Sequence, residues 1–526
     1  MRASRPSRLL ASLLVILVAL LAAPAGVAAQ SSSPAGSAAP VVLEPISDAG
    51  YAISSVAPVG WAVVGPGIRA RQATTGDPTI LAQQAAPVPI DSLWPSLLPQ
   101  LGLTSVPESV GTRTSAAGLD WQLYRVPVGG NVADLALASD AGTSYIVLLV
   151  SMPSERDALV DAVLLPAVDA LAPLEVTRTP LPSGIGYTER DVAFPGGAAD
   201  VTLAGTLTVP DGEGTHPAVV LMTGSGAQDR DEALAGMTLK PFALLADALG
   251  RAGIAVLRYD DRGTAASTGD YASATIADFT ADGQAALDWL RQQPDVDADR
   301  VGVLGHSEGG AYIASIAAND PDVAFVVGLA PMVRPGLELL VDQTYAIARS
   351  QGLTEEEAQT TADANRRIYD AALADDPAEL EAVLREVAGQ GYDSLDPAEQ
   401  QQAGDREAFI EQLVRTQLPT LTTPWFRSLL AADPSRDWAT VDAPVLGLFG
   451  GKDVQVIAGP ESAALTAALG GRDARSRVET IVDANHLFQT AVTGATTEYP
   501  TLDQTFTPEL LPLLTAWVRE VTGLDG

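Results

Sequence analysis

A serine flanked by glycines, Gly305-His306-Ser307-Glu308-Gly309, is the stretch of this chain with the most definite chemical content. Val301, Val303 and Leu304 before it read as a short apolar strand, and Ala311, Tyr312, Ile313, Ile316 and Ala317 after it as a helix. A serine between strand and helix is forced onto a sharp turn, where a Cβ at either glycine would crowd the neighbouring backbone. The turn pushes the Ser307 hydroxyl out at the top of a sheet and aims the first free amides of the helix at whatever it attacks. A hydroxyl is a weak nucleophile, so the chain must also supply a base and a carboxylate behind that base.

The chain has three histidines. His306 neighbours Ser307, but successive residues on such a turn point apart. His216 precedes a strand, at the edge where connections enter. His486, in Asp483-Ala484-Asn485-His486, follows the last predicted strand and opens on the rim that carries Ser307. Asp453 reaches the same rim across Gly450-Gly451-Lys452 and is the preferred carboxylate; Asp483 is its rival. A tetrahedral intermediate needs two amide donors. One is the backbone N–H of Glu308; the other lies in Thr223-Gly224-Ser225-Gly226, at Ser225 with Gly226 as the alternative. Asp229-Arg230-Asp231 and Asp260-Asp261-Arg262 are expected in loops on this rim, as an ion-pair floor beneath the site. A calcium site there is the weaker reading, because arginines already balance the acids.

The elements that must position these residues follow a regular pattern. Two strands, 187–194 and 200–209, are joined at Pro195-Gly196-Gly197. Strands at 218–222, 254–257, 301–304, 323–329, 444–449 and 478–482 then alternate with helices at 242–249, 276–290, after Ser307, at 461–469 and at 508–521. Strands apolar on both faces, alternating with helices, imply a mostly parallel sheet covered on both sides. Residues 333–436 interrupt the alternation with helices at 337–347, 354–372, 378–387 and 406–417, the second opened by a Thr354–Glu357 capping box. An insertion on the ligand side reads as a helical lid.

Upstream, residues 178–186 read as a linker, and 41–176 as a small α+β domain. That domain shows strands at 61–64, 121–126 and 145–150 and a helix at 157–171 that Pro166 kinks. It could position substrate, bind cell-surface material or cover a face of the second domain. Residues 1–29 read as a signal peptide: Arg2, Arg5 and Arg8, an apolar run at 9–21, and Val27-Ala28-Ala29 before a cut ahead of Gln30. Residues 30–40 read as a flexible spacer. Export is therefore expected, with no stable membrane anchor after cleavage.

The formal charge of the 526-residue chain is -34, from 31 basic and 65 acidic residues; loss of three leader arginines makes it -34 - 3 = -37. Such a surface repels phosphate backbones, which argues against a nucleic-acid partner. With no cysteine, disulfides, thiol catalysis and lipid attachment are excluded, and three histidines make a His-rich zinc site improbable.

Residues 187–522 resemble the α/β-hydrolase superfamily and, within it, bacterial hydrolases labelled esterases or serine-aminopeptidase-like proteins. The resemblance lies in 223–232 (TGSGAQDRDE), 257–263 (LRYDDRG), 267–270 (STGD), 305–310 (GHSEGG), 423–426 (TPWF) and 450–453 (GGKD). The order Ser307, Asp453, His486 is that of the fold's triad. The resemblance implies hydrolysis of carboxylic esters of short acyl chains, with no metal or cofactor; the partner would be a small-molecule ester or a short peptide. Thr264-Ala265-Ala266 departs from the pattern, where a glycine and a bulkier residue are expected. A peptidase would use the same triad with an anchor for the substrate amine, such as Glu355. An acyltransferase would need water outcompeted, and a non-catalytic binding role suits the first domain better than the second.

Overall fold

Eight strands of the second domain, numbered here within it, form one sheet in the order β1-β2-β4-β3-β5-β6-β7-β8. They are β1 (Tyr187–Pro195), β2 (Thr202–Pro210), β3 (His216–Met222), β4 (Ala255–Tyr259), β5 (Val296–His306), β6 (Val326–Leu329), β7 (Val445–Gly450) and β8 (Arg477–Ile481). Only β2 runs against the rest: it pairs antiparallel with β1 and β4, and the pairs from β4 to β8 are parallel. Every residue of β4, β6 and β7 is buried, as strands covered on both faces require. The one charge among them, Arg258, is met by Glu189 at 2.8 Å and Asp231 at 2.5 Å. This is an α/β-hydrolase sheet.

The computed structural model describes residues 41–72, 77–103, 105–128, 130–140, 142–174 and 186–525. The expected leader and spacer, and the expected linker apart from Gly186, lie outside them.

Helices Pro241–Arg251, Ile276–Arg291, Gly309–Asn319, Ala458–Leu469 and Leu510–Val521 cover the sheet. The last buries Leu510, Leu514, Trp517 and Val518, an i, i+4, i+7, i+8 stripe, and its Trp517 indole donates to Arg475 O at 2.8 Å. The helical insertion between β6 and β7 runs from Gly336–Ser350 to Ser435–Trp438. Its second helix, Glu355–Leu373, begins with both halves of the Thr354–Glu357 capping box. The helix expected at 378–387 extends over Pro377–Ser394, opened by Asp376, whose carboxylate accepts from the amides of Ala378 and Glu379. Among the described residues no helix is long and apolar enough to cross a membrane.

The first domain holds more structure than its sequence suggests. A seven-stranded antiparallel sheet has the order Ala62–Gly65, Ile68–Ala70, Ile80–Ala86, Thr143–Ser151, Asn131–Asp140, Asp120–Val128, Gly111–Thr114. A second sheet places Ile53–Pro58 between Leu43–Asp48 and Ala172–Pro173. The strands Ile68–Ala70 and Gly111–Thr114 have four residues or fewer, too few for an alternation to register in sequence. The helix Ile90–Gln100 also escapes a sequence reading, since it contains two prolines. The helix at 157–171 is present as Arg156–Leu159, a π turn at Val160–Leu164, and Leu165–Ala170. The wide turn lies just ahead of Pro166, which has no N–H to continue the regular ladder.

Candidate active site

The link from β5 to helix Gly309–Asn319 places Ser307 at φ 56, the left-handed region that costs a residue with a Cβ roughly 1–2 kcal/mol. Three backbone bonds hold it there. Ser307 N–H donates to Leu329 O at 3.0 Å, and Ser307 O accepts from Gly310 and Met332 N–H, each at 2.9 Å. The flanking glycines are required by proximity. A Cβ on Gly305 would lie 2.3 Å from Gly309 O, and one on Gly309 would lie 2.6 Å from Met222 O at the end of β3. The residues on both sides are buried, whereas Ser307 itself is partly exposed.

The loop after β7 brings in Asp453, and the loop after β8 brings in His486. Asp453 Oδ2 accepts from His486 Nδ1 at 2.7 Å. Its other oxygen, Oδ1, accepts the amides of Gln455 and Val456 at 2.7 and 2.9 Å, so the buried carboxylate is held by three donors. Asp483 does not take this place: its side chain is 65% exposed and pairs with Lys452 at 3.2 Å. His216 lies at the start of β3, at the far end of the sheet, where its N–H donates to Asp295 O.

The third histidine joins His486 to the elbow. The rings of His306 and His486 have centroids 4.7 Å apart, and His306 Nε2 contacts His486 O at 3.0 Å. His306 Nδ1 contacts Glu232 Oε1 at 2.8 Å. Both ring nitrogens thus face acceptors, which fits an imidazolium. Burial alone would lower the His306 pKa, but the Glu232 carboxylate outweighs it and raises the value. Glu232 Oε1 also accepts the amide of Gly224 at 2.9 Å. Glu232 therefore ties the loop after β3 to the elbow, and His306 ties the elbow to the loop of His486. Glu232 is in the TGSGAQDRDE stretch, but its partner His306 lies on another element, so no local pattern marks the pair. The Ser307 hydroxyl itself makes no hydrogen bond with another described residue. In enzymes without substrate the bond from nucleophile to base is commonly long and tightens on binding.

The expected amide donors lie around the same turn. A Cβ on Gly224 would sit 3.0 Å from that of Ser307, so this loop passes directly over Ser307. The Ser225 hydroxyl donates to Glu308 Oε2 at 2.6 Å. Glu308, expected only for its backbone N–H, carries a buried carboxylate that also accepts from Tyr312 at 2.5 Å and from the Trp425 indole at 2.9 and 3.2 Å. Burial raises its pKa, against the lowering effect of those donors. It ties the loop of Ser225 to the lid, whose Trp425 belongs to the TPWF stretch.

The two charged loops form the ion-pair floor only in part. Asp260 and Arg230 pair at 2.6 Å. Arg262 turns away to Asp282 at 2.6 Å. Asp261 meets no arginine; it accepts from Thr223 Oγ1 at 2.8 Å and from Gln228 N–H at 3.0 Å, so it shapes the Ser225 loop. Burial raises its pKa well above the carboxylate range.

Strand order, elbow and lid define an α/β hydrolase. A model of the X-Pro dipeptidyl-peptidase (S15) family matches residues 197–465, more than half of the chain, and the chain belongs to that family. It is similar to the esterase EstD of Thermotoga maritima, 29% identical over 308 residues, which cover 57% of this chain and 60% of that one. It is also similar to an uncharacterised 31.7 kDa protein of Escherichia coli, 30% identical over 125 residues, 24% of this chain and 41% of that one. The chain thus spans less than two thirds of either relative. Among solved structures, an esterase of Pyrococcus furiosus aligns at 15% identity over 65% of this chain and 94% of its own, with a TM-score of 0.38. The α/β hydrolase GrgF of Penicillium aligns at 17% identity over 64% and 99%, with a TM-score of 0.39.

Proposed function

We propose that the chain is an exported serine hydrolase that cleaves small carboxylic esters of short acyl chains. Ser307 Oγ attacks the acyl carbon, and His486 Nε2 takes its proton. Asp453 Oδ2 holds His486 Nδ1–H and stabilises the imidazolium that forms. The backbone N–H groups of Glu308 and Ser225 receive the negative oxygen of the tetrahedral intermediate, each worth on the order of 10²–10³ in rate. The leaving alcohol takes the proton from His486, and water repeats the sequence on the acyl-enzyme. The observation that carries this reading is the 2.7 Å Asp453–His486 bond on the rim where Ser307 is held at positive φ. Export rests on the basic and apolar character of residues 1–29.

The family name favours a second reading, cleavage of a peptide bond with the same residues. An exopeptidase needs a carboxylate for the substrate amine. Glu308 is fully occupied by Ser225, Tyr312 and Trp425, and Glu355, the anchor suggested by sequence, is exposed at the start of a lid helix. Esters are therefore preferred as substrates. The test is turnover of p-nitrophenyl acetate and butyrate beside aminoacyl and X-Pro p-nitroanilides, by wild type and Ser307→Ala. Ester turnover should fall by about 10⁶ in the variant. Anilide turnover in its place would make the chain a peptidase, and turnover unchanged in the variant would refute the role of Ser307.

A further inference from the structure

The first domain touches the second at the loops that frame the nucleophile. Ala265, at φ 46, donates its N–H to Pro87 O at 2.8 Å. Gly142, in a hairpin turn of the seven-stranded sheet, lies so close that an added Cβ would sit 1.9 Å from Ala265 O. Ala265 is in Thr264-Ala265-Ala266, the stretch that departs from the pattern of related hydrolases. The departure therefore coincides with the seat of the first domain.

From this seat a continuous set of bonds leads to the Ser225 loop. Thr264 N–H donates to Asp261 O at 3.0 Å. The Asp261 carboxylate takes Thr223 Oγ1 at 2.8 Å and Gln228 N–H at 3.0 Å, on either side of Ser225. Asp261 N–H returns a bond to Gln228 O at 3.1 Å. The first domain also meets this loop directly. Ala227 packs on the apolar cluster that contains Trp94 and Leu97. Further along, Gly236 N–H donates to Gly50 O at 3.3 Å, where a Cβ on Gly50 would lie 2.5 Å from the Gly236 carbonyl carbon.

We infer that the first domain is a positioning element of the active site: by seating on Ala265, Ala227 and Gly236 it sets the loop that presents the Ser225 amide above Ser307. This inference rests on the serine hydrolase reading. Glu308 and Asp261 hold this loop from within the second domain, and the first domain's contacts at Ala265, Ala227 and Gly236 fix it from the other side. A donor misplaced by about 1 Å can cost roughly 10² in rate, so the domain acts on kcat without touching substrate.

Two glycines in turns of the same sheet make a matched test. Gly142 and Gly118 have φ of +82 and +81, but a Cβ on Gly118 meets nothing within 4 Å. Alanine at either position carries the same backbone strain, and only Gly142→Ala presses on Ala265. Gly142→Ala is expected to lower kcat for p-nitrophenyl acetate by ten- to a hundredfold relative to Gly118→Ala, with KM little changed, at a temperature where both variants are folded. Hydrogen exchange in residues 223–232 should rise in Gly142→Ala alone. Gly50→Ala carries no positive-φ strain, pushes the same loop at Gly236, and serves should Gly142→Ala not fold. Equal kcat and equal exchange in the pressed and control variants would overturn the inference. If the wild type proves inactive on both esters and anilides, the hydrolase reading fails, and the exchange comparison still decides whether the domain orders the loop.

Discussion

Asp453→Asn separates a carboxylate that orients the base from one that merely packs. The asparagine amide has one acceptor and one donor end. In the native site Oδ1 faces two donors, the amides of Gln455 and Val456 at 2.7 and 2.9 Å, and Oδ2 faces His486 Nδ1. The asparagine oxygen must stay with the two amides, because its NH₂ there would leave buried donors opposed. The NH₂ then faces His486 and forces Nδ1 to accept. The ring proton moves to Nε2, the atom that must take the proton of Ser307, and the Asp453 side chain is too deeply buried for water to restore the tautomer. A wrong tautomer in such a triad costs about 10⁴ in kcat, which is about 5.4 kcal/mol of transition-state stabilisation. Ester turnover measured from pH 6 to 9, with the melting temperature as control, should show that loss in a folded protein. Asp483→Asn, at the exposed partner of Lys452, should stay within about twofold of wild type, since exposed ion pairs contribute little. An Asp453→Asn enzyme with kcat within tenfold of wild type would refute the assignment of base and carboxylate.

Two further outcomes follow from the groups around the elbow. The His306 pKa is raised in the folded protein, so its stabilising effect is complete below the unfolded value near 6.5 and is lost as pH rises through the folded value. The wild-type melting temperature should therefore fall more steeply than that of His306→Gln between about pH 6.5 and 9; parallel curves would show that the Glu232–His306 pair carries no charge. Glu308→Gln can keep its oxygen on Tyr312 and Trp425 while its NH₂ meets the Ser225 hydroxyl, which can turn to accept. It should retain ester turnover within about fivefold and stability within about 1 kcal/mol. Glu308→Ala leaves two buried donors unmet at about 1–3 kcal/mol each and should lose about 2–6 kcal/mol in denaturant titration. Equal behaviour of the two variants would remove the tie between loop and lid.

Local order was legible where a short stretch carries its own constraint. Gly305 and Gly309 flank a turn in which a Cβ at either position meets backbone at 2.3 and 2.6 Å, so the elbow is written in five residues. Strands apolar on both faces announce a covered parallel sheet, and Thr354 with Glu357 announces the start of a lid helix. Each of these depends on neighbours in sequence. Sequence preferred Asp453 but left Asp483 as a rival, because both follow a strand on the same rim. The fold turns Asp483 towards Lys452 and solvent, and closes Asp453 over two amides and His486. It likewise parted Asp261 from Arg262, sending one to the Ser225 loop and the other to Asp282. Glu232 and Glu308 meet their buried partners only when the loops that carry those partners come together. The seat of the first domain on Ala265 joins residues more than a hundred positions apart. Periodicity and turn chemistry record what a residue does with its near neighbours. Hydrogen bonds between loops from separate strands exist only once the sheet has brought the strand ends to one rim.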